Sequence, residues 1–257
     1  MSAVPDVARP LVLIDADNTL WDTNQIYADA QLTLLADVEK VLGKRAMVDD
    51  RLLWIRKIDQ RLAERHHARL RYPPRLLAKA VGLALRGMDI ATATRFAWSG
   101  GRSEGQLEET TALRIERAFF DHLKETPKLR EGVARGLERL HNAGCSIMIL
   151  TEGSRDKVLA LLEKYGLAKC VTSVIEAQKE QKLFERVAVK AQRAKAYMVG
   201  DQLDRDIIPA KAAGLMTIFF PGAFQPKWQP EESAVLPDLK IGNLEEAATF
   251  ILSPARS

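Results

Sequence analysis

The sequence has few cysteines and no long apolar run. Cys145 and Cys170 are the only cysteines among 257 residues, and their spacing matches neither a CxxC motif nor a zinc site. No stretch reaches the about 18 apolar residues that a membrane span needs, and the first ten residues lack the apolar segment of a signal peptide. These features disfavour disulfide-stabilised, zinc-binding and membrane proteins. They predict a soluble cytoplasmic protein without a membrane partner.

The chain also lacks internal repeats and low-complexity tracts, and 47% of its residues are hydrophobic. A chain of this length and composition can bury one large core, or one core with a smaller companion. We therefore expect an ordinary globular protein.

Helices and strands alternate in the second half of the sequence. From residue 132 onward, apolar strand segments at 146–151, 171–175, 196–201 and 216–220 are separated by segments with helical periodicity. This alternation is typical of a parallel sheet built from βαβ units. A further short strand at 11–15 has no neighbouring strand until residue 146. The sequence thus predicts an α/β domain formed by residues 1–22 and 126–257, with residues 23–125 inserted into it.

The inserted segment has helical spacing and no strand signal. Helices are predicted at about 26–42, 49–70, 75–87 and 104–123. Pro73 and Pro74 are expected to end the second of these, since proline is not tolerated inside a helix. The insert is therefore predicted to be an all-helical domain.

Two acids follow the first predicted strand. In LVLIDADNTLWDTN, residues 11–24, Asp15 ends the apolar run and Asp17 lies two positions further on. Ligands bind at the carboxyl ends of the strands in an open α/β sheet, so the pair can belong to a binding site. A turn in which both acids bond to their own backbone is the alternative.

Polar residues also follow three later strands. Thr151 ends one strand, Asp201 ends another and is followed by Asp206, and Lys179 and Lys182 come after the strand between them. Parallel strands end at one edge of their sheet, so these side chains are expected to converge with Asp15 and Asp17. An alternative for Asp206 is that it only caps the helix IIPAKAAG.

Such a cluster suits phosphoryl transfer. Several carboxylates in one crevice repel one another unless a cation lies among them, and oxygen ligands select Mg²⁺. One carboxylate can attack phosphorus while another moves a proton. A lysine and a threonine hydroxyl can hold the phosphoryl oxygens.

The sequence resembles the haloacid dehalogenase superfamily, specifically its aspartate-dependent phosphatases with a helical cap. Its four motifs match DADNTL, the threonine of LTEG, a lysine of QKEQKLF and GDQLDRD, in the family's order. The resemblance implies an α/β fold with a Rossmann-like parallel sheet flanked by helices and an inserted all-helical cap of the C1 type. It further implies that the cap covers the site and sets specificity for a small phosphorylated substrate.

The resemblance also implies a role for each motif residue. Asp15 would be the nucleophile, Asp17 the general acid and base, and Thr151 a ligand of the transferring phosphoryl group. Lys179 is the favoured motif lysine because Phe184 follows at the family's spacing, although the usual proline is missing; Lys182 is the alternative.

Magnesium is the implied cofactor. The resemblance assigns its ligands to Asp15, the Asp17 backbone carbonyl and Asp201, with Asp206 as a further acid. Asn18 replaces the family's usual glycine, and the turn is expected to survive because asparagine tolerates left-handed backbone conformation.

Other enzyme activities stay open at this point. Phosphonate cleavage would need a lysine such as Lys57 or Lys79 to form a Schiff base, and phosphomutase activity is a further alternative. Dehalogenation is disfavoured because the family's dehalogenases generally lack an acid at the position of Asp17. The segment GRSEG fits the GxSxG motif of serine hydrolases around Ser103, but a buried strand does not precede it.

Residues 51–102 carry a concentration of positive charge, with three acids against twelve basic residues: Arg51, Arg56, Lys57, Arg61, Arg65, Arg69, Arg71, Arg75, Lys79, Arg86, Arg95 and Arg102. We favour solvated helix faces as the explanation. Attraction of an anionic substrate is the second interpretation, and binding of nucleic acid is the third. The sequence does not indicate an oligomeric state.

Overall fold

The computed structural model describes residues 9–65, 72–100, 106–191 and 195–253. Within these ranges there are six strands: β1 Leu11–Asp15, β2 Ser146–Thr151, β3 Ser173–Glu176, β4 Ala196–Gly200, β5 Met216–Phe219 and β6 Leu239–Lys240. The same ranges contain eleven α-helices: α1 Thr23–Leu42, α2 Arg51–Ala63, α3 Pro74–Leu85, α4 Ile90–Ser99, α5 Glu109–His122, α6 Val133–Asn142, α7 Arg155–Lys164, α8 Gln181–Ala191, α9 Ile208–Ala212, α10 Glu232–Val235 and α11 Leu244–Leu252.

The strands form one parallel sheet in the order β3-β2-β1-β4-β5-β6. β1 lies between β2 and β4, with Asp15 opposite Leu150 and Ile14 opposite Val199. The strand that is first in sequence is therefore central in the sheet, with the later strands on both sides. This arrangement confirms the predicted Rossmann-like α/β class.

Helices cover both faces of the sheet. Because side chains alternate along a strand, Val12 and Ile14 of β1 face one side while Leu11 and Leu13 face the other. The first pair belongs to an apolar cluster with residues of α6, α7 and α11. The second pair packs with residues of α8 and α9 in a separate cluster, around the fully buried ring of Phe184. Burial on both faces explains why the strand sequences are continuously apolar.

The chain divides into two compact units, Met1–Asn24 with Thr126–Ser257 and Gln25–Glu125. The described residues of the second unit are helical and have a core of their own, which includes Leu34, Ile58, Val81 and Phe119. No helix within the described ranges combines the length and the apolar content that crossing a membrane requires. The role of the helical unit as a cap stays a prediction.

Several predicted helix boundaries in the insert are wrong. α2 ends at Ala63, before position 70, and Pro74 begins α3 instead of only ending the preceding helix. α5 begins at Glu109. α4 lies where the sequence pattern predicts no helix. Its signal is Asp89, whose carboxylate accepts a hydrogen bond from Thr92 N–H as an N-cap.

Candidate active site

The carboxyl edge of the sheet collects the predicted acids. Asp15 ends β1, Thr151 ends β2, and Asp201 directly follows β4; all three side chains are buried. Asp206 follows in a turn of π-helix, Leu203–Ile207, and is also buried. One carboxylate oxygen from each of Asp15, Asp201 and Asp206 lies within 4.8 Å of the others. The structure thus brings these three acids together.

Lys179 is the cation of this cluster. Its ammonium group donates hydrogen bonds to Asp15 and, at 2.6 Å, to Asp206 Oδ1, and its side chain is only 5% exposed. Lys182, the alternative, lies on α8 with an exposed side chain. The geometry therefore places Lys179, and not Lys182, at the acids.

One buried lysine does not neutralise the acids. Burial raises the pKa of Asp15 from 3.8 to about 7, because the attraction of Lys179 only partly offsets it and Asp206 repels the charge. Burial, followed by repulsion from Asp15 and Asp206, also raises the pKa of Asp201 well above its usual value. Burial alone would lower the pKa of Lys179, but Asp15 and Asp206 outweigh it and raise that pKa. The ionised forms of these acids therefore repel one another, and the attraction of the lysine does not offset burial and repulsion.

The donor set fits a hard divalent cation. Asp15 Oδ2 and Asp201 Oδ1 are buried, and neither has a hydrogen-bond partner among the residues that the structure describes. An orphaned buried carboxylate oxygen is costly, and a cation between the two would satisfy both of them. The residues present therefore fit the magnesium ion that the family resemblance implies.

Asp206 differs from the other two acids because both of its oxygens have partners. Oδ1 accepts from Lys179 at 2.6 Å, and Oδ2 accepts from the backbone N–H of Gln202 at 2.9 Å. Ile207, with no side-chain cap, precedes α9, so the alternative that Asp206 caps this helix is wrong. Asp206 instead accepts hydrogen bonds from the start of its own π-helical turn, at Gln202, and from the Lys179 ammonium group.

Asp17 and Thr151 lie close to Gly153. Asp17 Oδ1 accepts from the indole N–H of Trp21 at 3.2 Å, and Thr151 Oγ1 accepts from Gly153 N–H at 2.9 Å. A Cβ at Gly153 would lie 3.3 Å from Thr151 Oγ1 and 3.5 Å from Asp17 Oδ2, so both oxygens line the space beside this glycine. The acid and the hydroxyl are thereby neighbours, as the strand ends predict.

Asn18 forms the turn that follows the acids. Its φ is 61°, which confirms the expected left-handed conformation. The side-chain oxygen accepts hydrogen bonds from Thr23 Oγ1 and from the backbone N–H of Asn24, both at 2.8 Å. It thereby supplies an acceptor for a backbone N–H in the first turn of α1, which has no partner within the helix. Asparagine thus supplies both the turn and a helix cap, and the second role requires its side chain.

Two supporting side chains have no recognisable sequence signal. Glu152 accepts from the backbone N–H of Lys179 at 3.1 Å and forms an ion pair with Arg205. Arg130 donates to the backbone carbonyls of Asn18, Phe220 and Pro221. Both act between segments far apart in sequence, and no local pattern signals such contacts.

Some basic side chains of the segment 51–102 form ion pairs with acids that lie outside it. Arg51 pairs with Glu39 at 2.8 Å, and Arg75 pairs with Glu116 at 3.0 Å. Lys79 pairs with Glu109. Part of the basic charge is thus neutralised within the helical unit, and solvated helix faces stay the favoured prediction for the rest. Ser103 and its GxSxG motif lie outside the described residues.

The helical unit has a pocket of about 400 Å³, within the range of small-molecule sites. Asp59, which is buried, accepts hydrogen bonds from the hydroxyls of Tyr72 at 2.5 Å and Tyr27 at 3.4 Å. These two tyrosines are among the pocket residues, which are Tyr27, Tyr72, Pro73, Pro74, Arg75, Glu116, Phe119, Phe120 and Leu123. The pocket can hold a small organic group against aromatic rings.

Comparisons with known proteins agree with these features. A family model described as haloacid dehalogenase-like hydrolase matches residues 10–214. The ribulose-1,5-bisphosphate 5-phosphatase of Halopiger xanaduensis is 30% identical over 117 residues, which are 42% of this chain and 49% of that protein. The chain thus spans about half the length of that relative.

Solved structures share the fold at low sequence identity. The HAD-hydrolase YfnB of Bacillus subtilis, bound to magnesium, has a TM-score of 0.58 at 19% identity, covering 96% of this chain and 100% of that one. A predicted phosphoglycolate phosphatase from Haemophilus somnus has a TM-score of 0.56 at 16% identity, covering 95% and 99%. At these identities the likeness extends to the fold only.

Proposed function

Because the chain belongs to the haloacid dehalogenase-like hydrolase family, we propose that it is a magnesium-dependent phosphatase acting through an aspartyl phosphate on Asp15. The substrate is a phosphate monoester of a small molecule. The observation that carries the proposal is the buried Asp15 carboxylate, which accepts a hydrogen bond from Lys179 through one oxygen and, within the described part of the chain, has no partner for the other.

Asp15 and Asp201 would hold the magnesium ion through their unpartnered oxygens. Asp206 and the Asp17 backbone carbonyl complete the proposed ligand set, and the proximity of the Asp206 carboxylate supports its inclusion. When bound, the ion supplies positive charge that offsets the acids and the phosphate oxygens.

In the first step, a carboxylate oxygen of Asp15 attacks phosphorus, and the bond between phosphorus and the ester oxygen breaks. Asp17 gives its proton to the departing ester oxygen, which leaves as an alcohol. Lys179 and Thr151 hold the transferring group through its oxygens. The partial exposure of Asp17, in contrast to the burial of Asp15, supports this division of roles, since a proton donor must meet the leaving group.

In the second step, Asp17 removes a proton from water, and the water oxygen attacks phosphorus. The bond between phosphorus and Asp15 then breaks, so that inorganic phosphate leaves and Asp15 returns as a carboxylate. Asp17 is protonated again and ready for the next ester. Each acid thus returns to its starting state after one turnover.

Two supports for the substrate class come from outside the site. The relative from Halopiger xanaduensis is a sugar bisphosphate phosphatase by name, and the pocket of the helical unit has the volume of a small organic group. We propose that the helical unit determines which substrate is bound. We also propose that the protein is located in the cytoplasm. Nucleic acid is not the proposed partner, because ion pairs occupy several of the basic side chains.

The test is phosphate release from a panel of phosphorylated metabolites, with Mg²⁺ or with EDTA, by the unmodified protein and by Asp15→Asn. We expect hydrolysis only by the unmodified protein with Mg²⁺. Asp156→Asn, at an exposed acid in the first turn of α7, is the matched control and should retain full activity. Hydrolysis that survives Asp15→Asn would refute the mechanism.

The same panel separates the proposal from related activities. A phosphonate, a 2-haloacid and a pair of isomeric sugar phosphates are included as substrates. Release of phosphate from a phosphonate, halide release, or isomerisation without net phosphate release would each replace phosphatase activity as the assignment.

A further inference from the structure

Arg130 lies in the segment that leads into α6, and its guanidinium group makes three contacts with backbone. Nη1 donates to the carbonyl oxygens of Asn18 and, at 3.0 Å, of Phe220, while Nη2 donates to that of Pro221 at 2.8 Å. The guanidinium also stacks on the ring of Phe220, 3.4 Å from its centroid. One side chain therefore joins the loop after β1 to the loop after β5.

The loop after β1 carries the proposed proton donor. Asn18, whose carbonyl accepts from Arg130, directly follows Asp17 in sequence, and Leu20 O accepts from the backbone N–H of Arg130 at 3.0 Å. Arg130 thus holds this loop through both its side chain and its backbone. A shift of the loop would move Asp17.

The loop after β5 packs against a proposed metal ligand. Gly222 follows Pro221, and a Cβ at this glycine would lie 3.2 Å from Asp201 Oδ2 and 3.0 Å from Asn24 Nδ2. The loop therefore runs close beside the Asp201 carboxylate. Its position limits the freedom of that side chain.

We propose that Arg130 is a positioning residue, which fixes Asp17 and Asp201 relative to Asp15 by holding the loops after β1 and β5. This inference rests on the proposed function. Arginine suits the task because its planar guanidinium offers five N–H donors in fixed directions, whereas lysine offers a single ammonium group. A displacement of about 1 Å at a reacting group can cost about 10²-fold in rate.

The experiment compares Arg130→Lys and Arg130→Ala with the unmodified protein on the best substrate of the panel. We expect kcat to fall about 10- to 100-fold in both variants while KM changes about two-fold or less, since the guanidinium contacts backbone carbonyls and the ring of Phe220 and is not proposed to bind substrate. Millimolar guanidinium should restore part of kcat in Arg130→Ala, whereas ammonium should not. Rescue of this kind reports on the lost contacts and not on general stability.

Arg139 provides the matched control. Arg139 also joins two segments, since it lies on α6 and donates to Glu245 O at 3.4 Å and to Thr249 Oγ1 at 3.1 Å, both on α11. Unlike the acceptors of Arg130, neither of these two lies in the loops after β1 and β5. Arg139→Lys and Arg139→Ala should keep the kcat of the unmodified protein per folded molecule.

Amide hydrogen exchange adds a readout that does not need activity. In the Arg130 variants, exchange should become faster in residues 16–22 and 220–224, and in the Arg139 variants it should not change there. Unchanged kcat in Arg130→Lys and Arg130→Ala would overturn the proposal. If neither the unmodified protein nor any variant hydrolyses a substrate, the proposed function is refuted. Faster exchange in the Arg130 variants would then show only that Arg130 stabilises the two loops.

Discussion

Lys179 Nζ lies 2.6 Å from Asp206 Oδ1, and the same ammonium group also donates to Asp15. Lysine therefore bridges the end of β1 and the turn after β4, at a point where both carboxylates are buried. A buried ion pair of this kind is weak evidence for stability, but its disruption is costly because it leaves an uncompensated charge.

Replacement of Lys179 by methionine should destabilise the protein and abolish most activity. The side-chain volume is nearly kept, but Asp15 and Asp206 lose their cation, so we expect a loss of about 3–5 kcal/mol in the free energy of unfolding. Denaturant unfolding at neutral pH measures this loss. Lys182→Met, at an exposed position three residues further on in α8, should change stability by about 0.5 kcal/mol or less. Equal effects of the two substitutions would contradict the assignment.

The pKa of Asp15 predicts a pH dependence of stability in the metal-free protein. Because this pKa is raised from 3.8 to about 7, the folded state binds a proton that the unfolded state has lost in this range. The contribution of Asp15 to stability is thus complete below about pH 4 and is lost as the pH rises to about 7.

The measurement is denaturant unfolding from pH 4 to 7 in EDTA, for the unmodified protein and Asp15→Asn. The stability difference between the two should decline across this range, and saturating Mg²⁺ should reduce the decline because the ion favours the carboxylate form. A difference that is independent of pH would show that the folded state does not raise this pKa.

The acids of the candidate site could be predicted because the ends of buried strands can be recognised in the sequence. Asp15, Thr151 and Asp201 each follow an apolar run of strand length, and parallel strands end at one edge. The family's spacing between its lysine and a following aromatic residue favours Lys179 over Lys182, and the fully buried ring of Phe184 at that spacing packs in the cluster between α8 and the sheet.

The sequence could not predict the contacts that hold these acids. Arg130 is more than 100 residues from Asn18, and Glu152 contacts Lys179 and Arg205 across loops without regular spacing. The insert was less predictable for a different reason. α4 has few strongly apolar residues, so its helical period is weak and only the cap at Asp89 marks it.

Glu152 is expected to affect the site through Lys179. Glu152→Ala removes the acceptor for the backbone N–H of Lys179 and the ion-pair partner of Arg205. Because the backbone of Lys179 is then less firmly held, kcat should fall about 3- to 10-fold. Stability should change by about 1 kcal/mol or less, since the ion pair is partly exposed. Glu152→Gln keeps an acceptor oxygen for the N–H and should retain most of kcat. Loss of activity in Glu152→Gln equal to that in Glu152→Ala would assign the effect to charge instead.

Gly200 at the end of β4 leaves room for the Asp206 side chain. A Cβ at this position would overlap Asp206, whose carboxylate is held by Lys179 and Gln202, so Gly200→Ala should displace it. We expect a loss of about 1–3 kcal/mol in stability together with weaker binding of Mg²⁺, measured by calorimetric titration.

Gly136→Ala is the control for this substitution. Its Cβ would lie 2.9 Å from the backbone of Leu244, between α6 and α11, so it should cost comparable stability. Binding of Mg²⁺ by the folded protein should be unchanged. Weaker Mg²⁺ binding in both glycine variants would attribute the effect to general destabilisation.

The proposed nucleophilic role of Asp15 is tested most directly by trapping the phosphorylated enzyme. The protein is mixed with the best substrate of the panel and Mg²⁺, quenched in acid within one turnover, digested and sequenced by mass spectrometry. We predict the added mass of one phosphoryl group on Asp15, and none on any peptide of Asp15→Asn. A phosphoryl group on another residue, or turnover by Asp15→Asn, would contradict the mechanism.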